Sequence, residues 1–151
     1  MSDRDKQLRA EQDSQMKDIM HNLLANGKIE SDRRNIKSLY KYLIMDDAVT
    51  KDKVKRASKI VKALRNLYNK MYDSIDWLIH LPGLRLDLEM FFNDDLKFCE
   101  ELIEDLSDVD YDEVVYDNGK VVKEADWLWG KLMNTFNEIF KYLESLGYIT
   151  R

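Results

Sequence analysis

The stretch TKDKVKRASKIVKALRNLYNKMYDSIDWL, residues 50–78, reads as one long helix on which the rest of the chain must pack. Val54, Ala57, Val61, Leu64, Tyr68, Met71, Ile75 and Leu78 alternate steps of three and four residues, a heptad seam held for more than three heptads. Ile60 and Leu67 widen that seam to a face a globular bundle can bury. Thr50 suits the N-cap, and Pro82 with Gly83 suits the stop. At about 1.5 Å per residue the rod would be roughly 45 Å long. Lys51, Lys55, Lys59, Lys62 and Lys70 project from the opposite side, with Arg56 and Arg65 on its flanks.

Working outward, each flank offers helices to cover this rod. Upstream, Met16, Ile19, Met20, Leu23 and Leu24 form a helical stripe that Asn26-Gly27 should end, while residues 1–15 can extend that helix or fray. Ser31 is placed to cap a second helix, with Ile36, Leu39, Tyr40 and Leu43 as its apolar face and Asp46-Asp47 as the turn that follows. This helix, the turn and the long helix resemble a helix-turn-helix in outline, without the usual turn glycine. Downstream of Gly83, Leu84, Leu88, Phe91, Phe92, Phe98, Cys99, Leu102 and Leu106 keep helical spacing. Asn118-Gly119, set between Val114-Val115-Tyr116 and Val121-Val122, predicts a type I′ hairpin with Tyr116 facing Val121 and Asp117 facing Lys120. Leu128, Leu132, Phe136, Ile139, Leu143 and Leu146 line a last helix over about 124–146, with Gly147 as its cap. The expected architecture is all-α: a single domain, residues 1–151, of four to five helices around the central helix (about 50–79). One hairpin (about 113–123) precedes the last helix.

A chain of 151 residues with 44% hydrophobic and 35% charged content can bury a real core. The lone Cys99 excludes an intrachain disulfide, so a reducing compartment is expected: the cytoplasm, or the host cytoplasm for a viral protein. No apolar run reaches membrane-spanning length and the first residues lack a signal-peptide core, so no membrane partner is expected.

Charge is segregated along the chain. Residues 28–70 carry 13 basic and 5 acidic side chains, while residues 71–151 carry 7 and 19. Either acidic helices lie beside the basic one and the fields cancel, or two opposite surfaces meet different partners.

Catalytic and cofactor motifs are sparse. Glu100-Glu101-Leu102-Ile103-Glu104 resembles the E-E-x-x-E motif of the all-α nucleotide pyrophosphatases of the MazG kind, which implies magnesium ligation. That family's second motif, E-x-x-D, has no good match after Glu104. Asp108, Asp110 and Asp112 alternate as in a calcium loop, but an EF-hand's glycine and glutamate positions hold Glu113 and Gly119. His21 and His80 lack metal-ligand spacing, and Cys99 reads as a core thiol. No catalytic residue, metal or cofactor is therefore expected.

The leading expectation is a non-enzymatic protein-interaction module that binds a protein or nucleoprotein through an acidic C-terminal surface. Small viral regulators and inhibitors often share such compact helices and polarised charge. The residues expected to carry it are Glu100, Glu101, Glu104, Asp105, Asp108, Asp110 and Asp112, with Trp127 and Trp129 as aromatic anchors. An alternative is nucleic-acid binding by a basic ridge of Arg33, Arg34, Lys37, Lys51, Lys55, Lys59 and Lys62. Another is self-assembly as a homodimer, with the heptad seam pairing to its own copy.

Overall fold

The computed structural model describes residues 2–45 and 48–150. Among them the elements run α1 (Asp3–Ala25), α2 (Glu30–Leu43), α3 (Lys51–Asp73), α4 (Gly83–Leu88), α5 (Asp94–Asp108), β1 (Val114–Asp117), β2 (Lys120–Lys123) and α6 (Glu124–Ser145). A π-helical turn, Glu89–Asn93, joins α4 to α5 without a break, so five helical rods and one hairpin make the all-α bundle that the spacing predicts.

The central helix starts as expected: the Thr50 hydroxyl accepts the Lys53 N–H at 3.1 Å. Its seam from Val54 to Met71, with Ile60 and Leu67, is buried. That burial occupies the face on which a heptad-paired homodimer would depend. α2 lies antiparallel along α3, with Lys70 near Asp32 at one end and the Tyr42 hydroxyl bonded to Asp52 at the other. Two helices paired over their whole length are a hairpin, which replaces the helix-turn-helix outline. The expected turn at Asp46-Asp47 lies outside the described residues.

α5 runs antiparallel on the other side of α3, tied by Arg65 to Glu100, and α6 packs along α5. The ring closes where Tyr40 of α2 meets α6: its hydroxyl donates to Asn137 at 3.1 Å and its edge meets the Phe140 ring at 4.7 Å. α1 lays Met16, Ile19, Met20 and Leu23 over α3 and α4, and its first fifteen residues are helical from Asp3, capped by Ser2. Tyr148 and Ile149 of the tail are buried in the same core.

Several boundaries differ from those predicted. α2 begins at Glu30 after Ile29, so Ser31 sits inside the first turn and caps nothing. Along α4–α5 the buried side chains are Leu84, Leu88, Phe92, Leu96, Cys99, Leu102 and Leu106, whereas Phe91 and Phe98 are exposed. Leu84, Leu88, Phe92 and Leu96 are spaced by four. A regular α-helix would carry Leu96 about 120° away from Leu84 over that distance. The wider π turn absorbs this drift and keeps one face on the core. The hairpin pairs Tyr116 with Val121 and Asp117 with Lys120, as predicted. Asn118 and Gly119 both take positive φ, 50° and 78°, as a type I′ turn requires.

The largest departure is at the end of α3. The helix stops at Asp73, and Leu78, assigned to the seam by periodicity, stands in solvent.

Candidate interaction surfaces

After α3 ends at Asp73 with Ser74 as its C-cap, Asp76 closes the next turn by offering its own acceptors to the backbone. Its carboxylate accepts the Leu78 N–H at 2.8 Å, its N–H donates to His80 Nδ1 at 2.8 Å, and its carbonyl accepts the His80 N–H at 3.0 Å. The last contact but one requires an unprotonated Nδ1 on His80. Three bonds therefore close the turn 76–80. Beyond it, the Leu81 N–H donates to Gln15 of α1 at 2.8 Å, which anchors the turn to the bundle. At its crest Trp77, Leu78 and Ile79 are 71%, 95% and 74% exposed. The Trp77 ring lies 4.0 Å from the Arg85 guanidinium, which also faces Tyr72 at 4.8 Å, so even the tryptophan is held in place. Sequence periodicity hid this feature, because Leu78 continues the seam; Asp76 and Pro82 were the available signals.

The expected acidic surface is realised in part. Glu101, Glu104, Asp105 and Asp108 are exposed along α5, and Asp110 and Asp112 follow in the loop. Asp110 caps the Asp112 N–H at 2.9 Å. Glu100 turns away to Arg65, and that guanidinium also donates to the buried Asn93 at 2.6 Å. Asn93 in turn donates to Glu89 at 2.6 Å, and Glu89 accepts the Tyr68 hydroxyl. The Tyr68 and Asn93 bonds hold the Glu89 carboxyl below its ordinary range, while burial and the adjacent carboxylate push the Tyr68 phenol up. The E-E-x-x-E resemblance thus loses its first member to an ion pair, and no group of three metal-ligating side chains forms among the described residues.

Trp127 and Trp129 are both half-buried rather than presented on the acidic face. Trp127 sits beside Val122 at the hairpin base with the Lys131 ammonium 3.6 Å from its ring, and Trp129 packs on the core.

The basic ridge divides. Lys51, Lys55, Lys59 and Lys62 form an exposed row on α3 with no ion-pair partner among the described residues. Arg33 and Arg34 are tied to Glu30 at 3.0 and 3.5 Å, and Lys70 to Asp32 and the Lys28 carbonyl. Lys37 lies across α2, on a groove shared with Tyr40 and Ile149. Only one ion pair, Arg65 to Glu100, joins α3 to α5 among the described residues, so basic and acidic faces are displayed side by side rather than neutralised.

Two further features are a cleft between α1, the π turn and α6, and the thiol of Cys99. Arg9 bonds Asp87 at 2.9 Å and Asp13 at 3.4 Å beside the stacked Phe91 and Tyr142 rings, in a cleft that Lys17 also lines. Cys99 is buried, and burial pushes its thiol up, far from thiolate chemistry.

Comparison with known proteins finds no matching family model, no matching curated protein and no matching solved structure. No helix among the described residues is long and apolar enough to cross a membrane.

Proposed function

We propose that the protein is a non-catalytic interaction module that inserts the crest of the 76–80 turn into an apolar pocket of a partner protein. The observation carrying this reading is that Trp77, Leu78 and Ile79 are left in solvent by a turn closed with three hydrogen bonds. Neighbouring exposed apolar side chains are costly in a monomer and mark contact sites. Tryptophan is the residue most enriched where truncation costs most binding energy. A turn already ordered loses little conformational freedom on docking, so more of the apolar burial appears as affinity. The unpaired carboxylates of α5 add a steering field toward a basic partner surface, in keeping with the acidic face expected from sequence.

The test is a capture experiment from native cell extract, nuclease-treated, with the wild-type chain and a Trp77→Ser/Leu78→Ser/Ile79→Ser variant as parallel baits. A protein retained by the first and lost by the second, while both baits melt at similar temperatures, supports the reading. Equal retention by both baits removes the crest from the contact. A partner lost instead on reversing Glu101, Glu104 and Asp105 to lysine would move the contact to α5.

A further inference from the structure

Lys59 and Lys62 of the α3 lysine row border a groove against α2 that sequence periodicity does not reveal. Lys59 and Lys62 face Asn35 and Ser38 of α2 across it, with Asn66 one turn further along α3, in a space of about 480 Å³. Among the described residues the only acid lining it, Asp32, is 3.8 Å from the Lys70 ammonium. The groove therefore combines unpaired ammonium groups with amide and hydroxyl donors, the groups that bind phosphate oxygens.

We propose that this α2–α3 face binds the phosphate backbone of a double-stranded nucleic acid. The exposed row from Lys51 to Lys62 spans about 16 Å of helix, with Lys59 and Lys62 bordering α2 and Lys51 and Lys55 bordering Ser107 and Tyr111 at the end of α5. That is the axial length of roughly five phosphates of one strand, so the charge is laid out for a polymer rather than for one phosphate group. Single strands are held largely by aromatic stacking; among the described residues no aromatic side chain lines the groove of Lys59 and Lys62, and Tyr111, beside Lys51 and Lys55, is packed on the core. An anionic membrane surface would favour apolar side chains between the lysines, whereas the exposed positions from 51 to 66 are Lys51, Asp52, Lys55, Lys59, Lys62 and Asn66. The net charge of −5 does not cancel the local field, because screening acts within about 8 Å at physiological salt. Instead, the exposed carboxylates of the neighbouring α5 repel a duplex that strays from α2 and α3 toward that helix, which sets its position.

The proposal is tested by fluorescence anisotropy with the full chain, a labelled 20-base-pair duplex, its separate single strand, and phosphatidylserine vesicles. With four phosphates neutralised, duplex affinity should fall about 100-fold between 50 and 200 mM salt. Lys59→Glu/Lys62→Glu should lower affinity roughly tenfold or more and flatten the salt slope by about two contacts, and Lys59→Gln/Lys62→Gln should do so more mildly. Lys59→Arg/Lys62→Arg should retain binding, which separates loss of charge from loss of fold. The Trp77→Ser/Leu78→Ser/Ile79→Ser variant should bind duplex as the wild type does, so this proposal and the protein-contact reading can fail separately. No duplex binding at 50 mM salt, tighter binding of the single strand or the vesicles, or affinity unchanged in the glutamate variant would each overturn it.

Discussion

The network at the π turn and the crest at the end of α3 sort side chains in opposite senses. Around Asn93 the fold draws polar and charged groups inward: Arg65, Glu89, Glu100 and Tyr68 are joined through an amide that is 5% exposed. At the crest it holds a tryptophan, a leucine and an isoleucine out in water. The first arrangement is stable only because each partner has a bond, since one missing member leaves a desolvated group unpaired. The second contributes little to folding, and its rigidity comes from backbone bonds that the apolar side chains do not make. A π turn often marks a functional site. Here its polar groups are mutually satisfied, and the exposed apolar crest lies on the other side of α4 along the chain.

The comparison breaks first at Asn93. Asn93→Ala removes the acceptor of Arg65 and the donor to Glu89, and should cost about 3 kcal/mol in urea unfolding. A loss below about 0.5 kcal/mol would show the network to be decoration. Tyr68→Phe should cost about 1 kcal/mol at neutral pH. Glu89 is held low in the folded state, so its contribution is present above about pH 4.3 and is lost as pH falls through the lowered folded value. Tyr68→Phe shrinks that shift, and the stability gap between variant and wild type should therefore narrow on acidification toward pH 3. Parallel curves down to that pH would contradict the assignment.

The crest should respond the other way. Trp77→Ser/Leu78→Ser/Ile79→Ser should change unfolding free energy by about 1 kcal/mol or less, chiefly through the lost Arg85 contact. A loss of 3 kcal/mol or more would mean that the crest belongs to the core after all. The smallest effect belongs to His80→Ala, which should leave the melting temperature nearly unchanged while speeding hydrogen exchange at the Asp76 amide, whose acceptor it removes. Unaltered exchange there would deny the turn its built-in rigidity.

Much of the bundle could be read from spacing. Val54 to Met71, the stripe from Leu128 to Leu146, and the Asn118-Gly119 hairpin all occupy the places their periods and turn chemistry imply. Periodicity misled at Leu78, because a three-four rhythm records which residues would share a face if the helix continued, and α3 ends at Asp73, after which Asp76 bonds the Leu78 N–H within a separate turn. It also misplaced Phe91 and Phe98, while Phe92, Cys99, Leu102 and Leu106 are buried as the spacing implies, because the π turn carries the buried face onto Phe92, Leu96 and Cys99. The candidate surfaces were less legible still. Glu100 and Glu101 are neighbours of equal charge, yet one is bound to Arg65 and the other is free to solvent.

What the sequence determined by itself was the set of helices, their apolar faces, the hairpin and the division of charge along the chain, because these depend on local dihedral preference and on the period of side chains about an axis. Tertiary structure alone decided which charges meet a partner, where the lysine row finds amide and hydroxyl neighbours, and which apolar residues are left outside. Those outcomes depend on distances between residues far apart in the chain. Arg65 and Glu100, or Asn35 and Lys62, become neighbours only after α2, α3 and α5 have packed.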